Sequence, residues 1–174
     1  NAQTFEQLRR GELVIPYTDL AKGLGEAMKD SEFQFRECRY QGENQLEVTV
    51  DHEKYGSLTA DVEIEALALN NTASYARFRI HDFSIADNRL GELLVRLLGT
   101  RIIMSLVNAI FNMTVVNRDD LICTFNDQSL TVDFTEVIKK SRLSQLKVKG
   151  FNLFDLVRLT GLVPEADGLH VLSQ

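Results

Sequence analysis

The sequence predicts an α+β domain in which a long, strongly curved antiparallel sheet of hairpins wraps around central apolar helices. Three pairs of strand-like runs carry apolar and polar residues in alternation, and a short polar turn joins the runs of each pair. One apolar segment with helical spacing, residues 90–113, separates the second pair from the third. Hairpins on both sides of one helical segment favour an antiparallel sheet covered by helices on one face.

Composition and charge limit the class of protein. The chain has 174 residues, 44% of them hydrophobic, which is enough for one domain whose core needs no disulfide or metal. The net charge of −6 argues against a nucleic-acid partner, because proteins that bind nucleic acids usually present a basic face.

The first two residues, Asn1 and Ala2, resemble the remnant of a cleaved tag, so residues 3–174 are predicted to form a single α+β domain. The segment most often removed upstream of such a start is a signal peptide or a membrane anchor. We therefore expect an extracytoplasmic protein held near the membrane through that segment, with a disordered tail as the alternative.

The first elements are a strand, a helix and a hairpin. An apolar run at 13–15 predicts a short strand, and helical spacing from Asp19 to Lys29 predicts a helix that begins at a polar N-cap. Alternating runs at 33–40 and 46–50, separated by a polar turn, predict the first hairpin.

The second hairpin has longer strands. In run 57–68 the even positions are apolar and most odd positions are polar, which predicts one buried and one exposed face. The return strand, 76–80, continues this alternation, and the apolar set then moves by one residue. A β-bulge near 81–82 is the simplest explanation of that shift.

The apolar segment 90–113 is predicted to form two helices. As one helix it would carry polar residues on nearly opposite sides: Glu92 and Arg96 on one, and Arg101, Ser105, Asn108 and Asn112 on the other. A break at 99–100 removes the conflict. The second helix then has an apolar arc of roughly 200°, about twice the ~100° of a one-sided surface helix. Its uncharged stretch is shorter than the ~20 residues of a membrane span.

The remaining chain predicts a third hairpin and several short elements. Runs 121–125 and 130–134 form the hairpin, and 135–140 is predicted to be a short helix. A strand is expected around 146–148, the segment 152–159 fits either a strand or a short helix, and the final strand covers 167–172.

The sequence predicts no catalytic residue, metal site or cofactor. It lacks a P-loop, a nucleophile elbow and a dinucleotide-binding glycine motif. The histidines, His52, His81 and His170, are too far apart in sequence to suggest a metal site. Cys38 and Cys123 allow either one long-range disulfide or two free thiols.

The wide apolar arc suggests a ligand site. A helix with such an arc against a half-apolar sheet has more apolar surface than one contact covers, so either a further element packs there or an apolar ligand does. The predicted ligand-binding residues are Leu94, Leu98, Ile102, Met104, Leu106, Ile110, Phe111 and Met113 from the helices, and Phe78, Ile80 and Phe83 from the sheet.

The order of these elements resembles bacterial lipid-binding proteins related to the tubular lipid-binding (TULIP, BPI-like) superfamily. The resemblance is one of pattern: the run 12–20 leading into a helix, the long strands 33–85, the apolar segment 90–116 and the closing strand from Asp167. It implies lipid binding at a cell envelope. Longer family members have two such lobes, so a single lobe implies a homodimer or a shallow groove.

Two functions are therefore expected. The first is non-enzymatic binding of a lipid or other apolar small molecule between the curved sheet and a central helix. The alternative is a structural or protein-interaction domain of a membrane-anchored envelope protein, with a fully packed core and no ligand.

Overall fold

The computed structural model describes residues 2–81, 88–113 and 118–174. The helices are α1 (Ala2–Arg10), α2 (Tyr17–Ala27), α3 (Asn88–Phe111), α4 (Thr135–Lys140) and α5 (Leu153–Leu156). The strands are β1 (Val14–Ile15), β2 (Phe33–Gly42), β3 (Gln45–His52), β4 (Gly56–Ala68), β5 (Tyr75–His81), β6 (Ile122–Asn126), β7 (Ser129–Asp133), β8 (Lys147–Val148), β9 (Phe151–Asn152), β10 (Leu159–Glu165) and β11 (Gly168–Ser173).

The main sheet has six antiparallel strands in the order β2-β3-β4-β5-β7-β6, which confirms the α+β class. It contains the three predicted hairpins, β2–β3, β4–β5 and β6–β7. The cross-strand register places the buried residues of neighbouring strands opposite one another, so they share one face. Such opposed pairs are Val48 and Ala60, Val62 and Ile80, and Phe78 and Leu130.

A smaller sheet, β1-β11-β10, joins the first strand of the chain to the last two. It is connected to the main sheet by one bridge, in which the backbone N–H groups of Leu69 and Leu159 each donate to the other residue's carbonyl at 3.0 Å. Both residues are buried. The bridge therefore fixes the β10–β11 hairpin against the end of β4.

The alternation predicted for run 57–68 changes phase inside β4. Its even positions are buried only as far as Ile64; beyond a register shift between Ile64 and Ala66, Leu67 and Leu69 are buried instead. The extra residue of a bulge moves the side chains that follow to the other face of a strand. The prediction of one buried face through Ala68 is thus wrong. The bulge predicted near 81–82 falls partly on Asp82, which lies outside the described residues.

The predicted break at 99–100 is wrong, because α3 is one helix from Asn88 to Phe111. Its two polar stripes are compatible because the two halves have different neighbours. In the first half, Glu92 and Arg96 form an ion pair of 3.0 Å on the solvent side. In the second half, Arg101 and Ser105 are buried on the side that α2 covers.

The interface between α2 and α3 satisfies the polar groups that it buries. The Arg101 guanidinium donates from Nε to the carbonyl of Ala27 at 2.9 Å, at the C-terminal end of α2. Ser105 donates its hydroxyl proton to the Arg101 carbonyl at 2.8 Å. Gly23 faces Ser105 so closely that an added Cβ would lie 3.1 Å from the serine Cβ. The buried side chain of Arg101 therefore links the two helices.

The helix α3 packs closely on the sheet at Gly99. A Cβ placed there would overlap Cδ2 of Leu130 and would lie 3.4 Å from Cγ2 of Val132 and 3.5 Å from Cδ2 of Phe78. Because those three side chains are fully buried on β5 and β7, they have little room to move. Glycine thus allows the α3 backbone to lie directly on the sheet.

Residues Gly91–Phe111 of α3 are long and apolar enough to cross a membrane by length and composition alone, with a mean hydropathy of 1.7. Core helices pass the same test. In this fold, 61% of the apolar window is buried against the rest of the chain.

Replacing Gly99 with alanine should destabilise the protein although alanine favours helices. Overpacking a filled core costs about 1–3 kcal/mol, whereas the gain in helix propensity is at most ~1 kcal/mol. We expect the free energy of unfolding, measured in urea, to fall by about 1–2 kcal/mol.

The matched control is Gly25→Ala in α2, where an added Cβ would meet nothing within 4 Å. There we expect a gain of about 0.5–1 kcal/mol. Equal effects of the two substitutions would contradict the close approach at Gly99.

Candidate ligand-binding site

Most of the predicted ligand-binding residues lie in a packed core. Leu94, Leu98, Ile102 and Leu106 of α3 are each at most 3% exposed, and Phe78 and Ile80 of β5 belong to the same cluster. At the Gly99 crossing, the helix backbone touches the sheet and leaves no room for a ligand chain. The structure therefore brings these six residues together as neighbours in the core.

The other predicted residues lie toward the edge of the core or beyond it. Met104 is half-buried and faces a groove beside α2. Ile110, which is buried in the same core cluster, and the half-buried Phe111 form the C-terminal end of α3 and line a second groove, described below. Met113 is half-buried just after the helix. Phe83 lies outside the described residues.

The second groove, called here the α1 groove, has a volume of about 360 Å³ and is mostly apolar. Its walls come from α1, from the end of α3 and from the segment between α4 and α5. The lining residues are Thr4, Phe5, Glu6, Leu8, Ile110, Phe111, Leu143, Leu146, Val148, Lys149 and Leu153. Its size lies near the lower end of the ~300–1,000 Å³ typical of ligand pockets.

The first wall is α1, a helix that the sequence pattern does not predict. Leu8 is only 2% exposed, and its carbonyl accepts a hydrogen bond from the hydroxyl of Ser173 on β11. The helical pattern of apolar residues in α1 is short, because Phe5 and Leu8 are the only large apolar residues of this helix. Contact with the last strand of the chain thus holds α1 in place.

The opposite wall is a compact segment closed by its own hydrogen bonds. The N–H of Leu153 donates to the carbonyl of Leu146 at 2.9 Å, which brings the two ends of the β8–β9 hairpin together. The hairpin turns at Lys149 and Gly150, with φ of 54° and 85°. Leu146 lines the groove and is 44% exposed there. That exposure is a signal of the site that the sequence pattern did not reveal.

The rim of the α1 groove is polar and locally basic. The carboxylate of Glu6 lies 2.9 Å from the guanidinium of Arg9 and 3.9 Å from that of Arg10. The hydrogen bond from Arg9, together with the charges of Arg9, Lys149 and Arg10, lowers the pKa of Glu6. One carboxylate thus lies among three cations, although the chain as a whole is acidic.

The groove between α2 and α3 has a different character. Its volume is about 730 Å³, and its lining includes Asp19, Lys22, Glu26, Lys29 and Asp30 beside Met104 and Asn108. Charges of both signs keep such a surface hydrated. It offers less apolar area for its size than the α1 groove does.

The two cysteines are free thiols on opposite edges of the main sheet. Five strand spacings of ~4.8 Å separate β2 from β6, whereas a disulfide needs Cα atoms within about 7 Å. An intramolecular disulfide is therefore excluded in this fold. Burial raises the pKa of Cys38 to about 12 and raises that of Cys123 as well.

Each histidine lies within ion-pair distance of a carboxylate. The pairs are His52–Glu32 at 3.1 Å, His81–Glu63 at 3.4 Å and His170–Asp167 at 2.7 Å. His52 also accepts backbone N–H bonds from Lys54 and Tyr55 at Nδ1. Within the described ranges, no three His, Cys, Asp or Glu side chains gather in a way that could hold a metal ion.

No protein-family model, curated protein or solved structure matches this chain. The resemblance to tubular lipid-binding proteins therefore stays a prediction.

Truncating two residues of α3 should distinguish the packed core from the groove. Leu106→Ala should lower the free energy of unfolding by about 2–5 kcal/mol, because it leaves a closed cavity. Ile110 lines the open α1 groove, where neighbouring side chains can move into the space, so Ile110→Ala should cost less, near the lower end of the ~2–5 kcal/mol of such truncations. Chemical denaturation measures both losses, and equal values would contradict this assignment.

The thiols should react slowly in the folded protein. Because the thiolate is the reactive form, a raised pKa lowers the reactive fraction at pH 8, and the rate should rise with pH. We expect Cys38, measured in a Cys123→Ser variant, to react with Ellman's reagent more slowly than Cys123 in Cys38→Ser. In the unfolded wild type, two thiols should react with the reagent, whereas no reactive thiol would indicate a disulfide.

Proposed function

We propose that this protein binds a lipid or another apolar small molecule, without catalysis, in the α1 groove at the end of the central helix. The observation that carries the proposal is an open, mostly apolar groove of about 360 Å³ to which Leu146 contributes exposed surface. Ile110 and Phe111, two of the residues predicted from the apolar arc of the helix, line it. The site therefore lies beside the predicted helix, but past the packed helix–sheet interface.

The energetics of such a groove are sufficient for binding. Each sheltered methylene contributes about 0.8 kcal/mol, so ten would supply roughly 8 kcal/mol before the cost of ordering ligand and protein. A micromolar dissociation constant corresponds to about 8 kcal/mol, so this gross gain supports affinities in the micromolar range or weaker. The small volume favours one unbranched chain.

We further propose that the main sheet is strongly curved around α2 and α3. Register shifts in β2, between Phe35 and Glu37 and between Tyr40 and Gly42, support this, as does the shift in β4. Bulges bend a strand and increase its twist. Curvature of this kind would bring the segments that form the α1 groove around the end of the helix.

A location at the cell envelope and a non-enzymatic role belong to the same proposal. The envelope location rests on the resemblance to tubular lipid-binding proteins. The non-enzymatic role is supported by the thiols, whose raised pKa keeps them protonated and weakly nucleophilic at neutral pH.

A second candidate is a protein-interaction domain, favoured by the edge strand β6. Ile122 and Phe125 are 57% and 36% exposed there, and the strand carries no charged residue. The opposite edge, β2, carries Arg36, Glu37 and Arg39 and two register shifts. Charges and bulges protect an edge from pairing with other chains, so β6 is the less protected edge.

Binding can be tested with 1-dodecanol, measured by displacement of an environment-sensitive fluorescent probe. Leu146→Gln, on the groove wall, should weaken dodecanol binding about tenfold, because it replaces apolar contact by a polar amide. The matched control is Leu172→Gln on β11, since Leu172 is 43% exposed, almost the same as Leu146, and lies outside the groove lining.

The proposal fails if the wild type does not bind dodecanol, or if both substitutions weaken binding equally. Native mass spectrometry of protein purified from cells distinguishes the two candidate functions. A retained apolar ligand supports the first, and a defined oligomer without ligand supports the second.

A further inference from the structure

We infer that the ligand of the α1 groove is a single-chain amphiphile with an anionic head, of the fatty-acid class, whose carboxylate lies at the rim beside Lys149. This inference rests on the proposed function and adds the chemistry of the headgroup. It concerns the polar part of the groove, whereas the proposed function concerns the apolar part.

The rim places cations on two facing walls. Arg9 and Arg10 lie on α1, and Lys149 lies on the β8–β9 turn opposite. Arg9 already bonds the carboxylate of Glu6 at 2.9 Å, and Arg10 lies 3.9 Å from it. Among the described side chains, Arg9, Arg10 and Lys149 are the charges that act on Glu6. Three positive charges face one negative charge there, so a second carboxylate at this rim is electrostatically favoured.

Lys149 is the cation best placed to meet a ligand. Its side chain lines the groove, and within the described parts of the chain its ammonium forms no hydrogen bond or close ion pair. Its charge nevertheless reaches Glu6, because it contributes to lowering the pKa of that carboxyl. A carboxylate between Lys149 and α1 would therefore gain a partner without displacing an existing one.

Lys149 has a left-handed backbone conformation, with φ of 54°, and this conformation fixes the position of its Cβ atom in the turn. The neighbouring Val148 also lines the groove, so apolar wall and cationic rim follow each other along the same turn. An unbranched chain lying on Val148 and Leu146 would thus present its head to Lys149. Apolar length with one anionic end is the chemistry of a fatty carboxylate.

The acidic net charge of −6 does not oppose this site. Charges farther away than about 8 Å are largely screened at physiological ionic strength, so the local excess of cations dominates at the rim.

The test compares dodecanoate with 1-dodecanol at pH 7.5, below the concentration at which either aggregates, using the full chain. The two ligands have the same chain length and differ in the charge of the head. Lys149→Glu should weaken dodecanoate binding about tenfold, because an attraction becomes a repulsion. It should weaken dodecanol binding by a clearly smaller factor, because the alcohol head carries no charge.

Lys147→Glu is the matched control, because it makes the same change of charge on the same hairpin at an exposed residue outside the groove lining. We expect it to change the affinity for either ligand less than twofold. Circular dichroism spectra and melting temperatures of the two variants establish that both remain folded.

The outcomes separate this inference from the proposed function. If dodecanol binds and Lys149→Glu weakens both ligands equally, or neither, the headgroup assignment is wrong and the apolar groove stands. A loss of dodecanoate binding as large in Lys147→Glu as in Lys149→Glu would also overturn the assignment. If the wild type binds neither ligand, the proposed function fails together with the inference.

Discussion

The direct contact between the α3 backbone and the sheet at Gly99 is the constraint on which the rest of the architecture depends. With no Cβ at this position, the helix lies on Leu130, Val132 and Phe78, at the side of the sheet formed by β5 and β7. The strands on the other side of the sheet then need a second helix to cover their apolar face. The helix α2 supplies this cover, because it contacts both α3 and β2.

The same arrangement explains how one helix carries polar groups on opposite sides. A helix that lies so close to the sheet at its middle has different neighbours before and after that point. Glu92 and Arg96 precede it and meet solvent, whereas Arg101 follows it and meets the C-terminal carbonyl of α2. A cation at a helix C-terminus is favourable because unpaired carbonyls accumulate negative partial charge there.

The α1 groove follows from where α3 ends. The last turn, with Ile110 and Phe111, lines the groove together with α1 and the segment between α4 and α5. These covering segments are short and are held by a few hydrogen bonds, such as that from Ser173 to Leu8. Short elements of this kind cover an apolar helix end incompletely, because each buries only a narrow strip. The incomplete cover is what leaves the groove apolar and open.

The sequence by itself determined the hairpins, the helical segment and their order, because period-2 and period-3.6 patterns are local properties of the chain. It also identified Ile110 and Phe111 as surplus apolar surface. Only the tertiary structure decided that α3 is unbroken, since burial of Arg101 against α2 is invisible in the helix's own pattern. The sequence pattern could not predict the groove either, because Phe5, Leu146 and Ile110 are far apart in sequence and meet only through the packing of other elements.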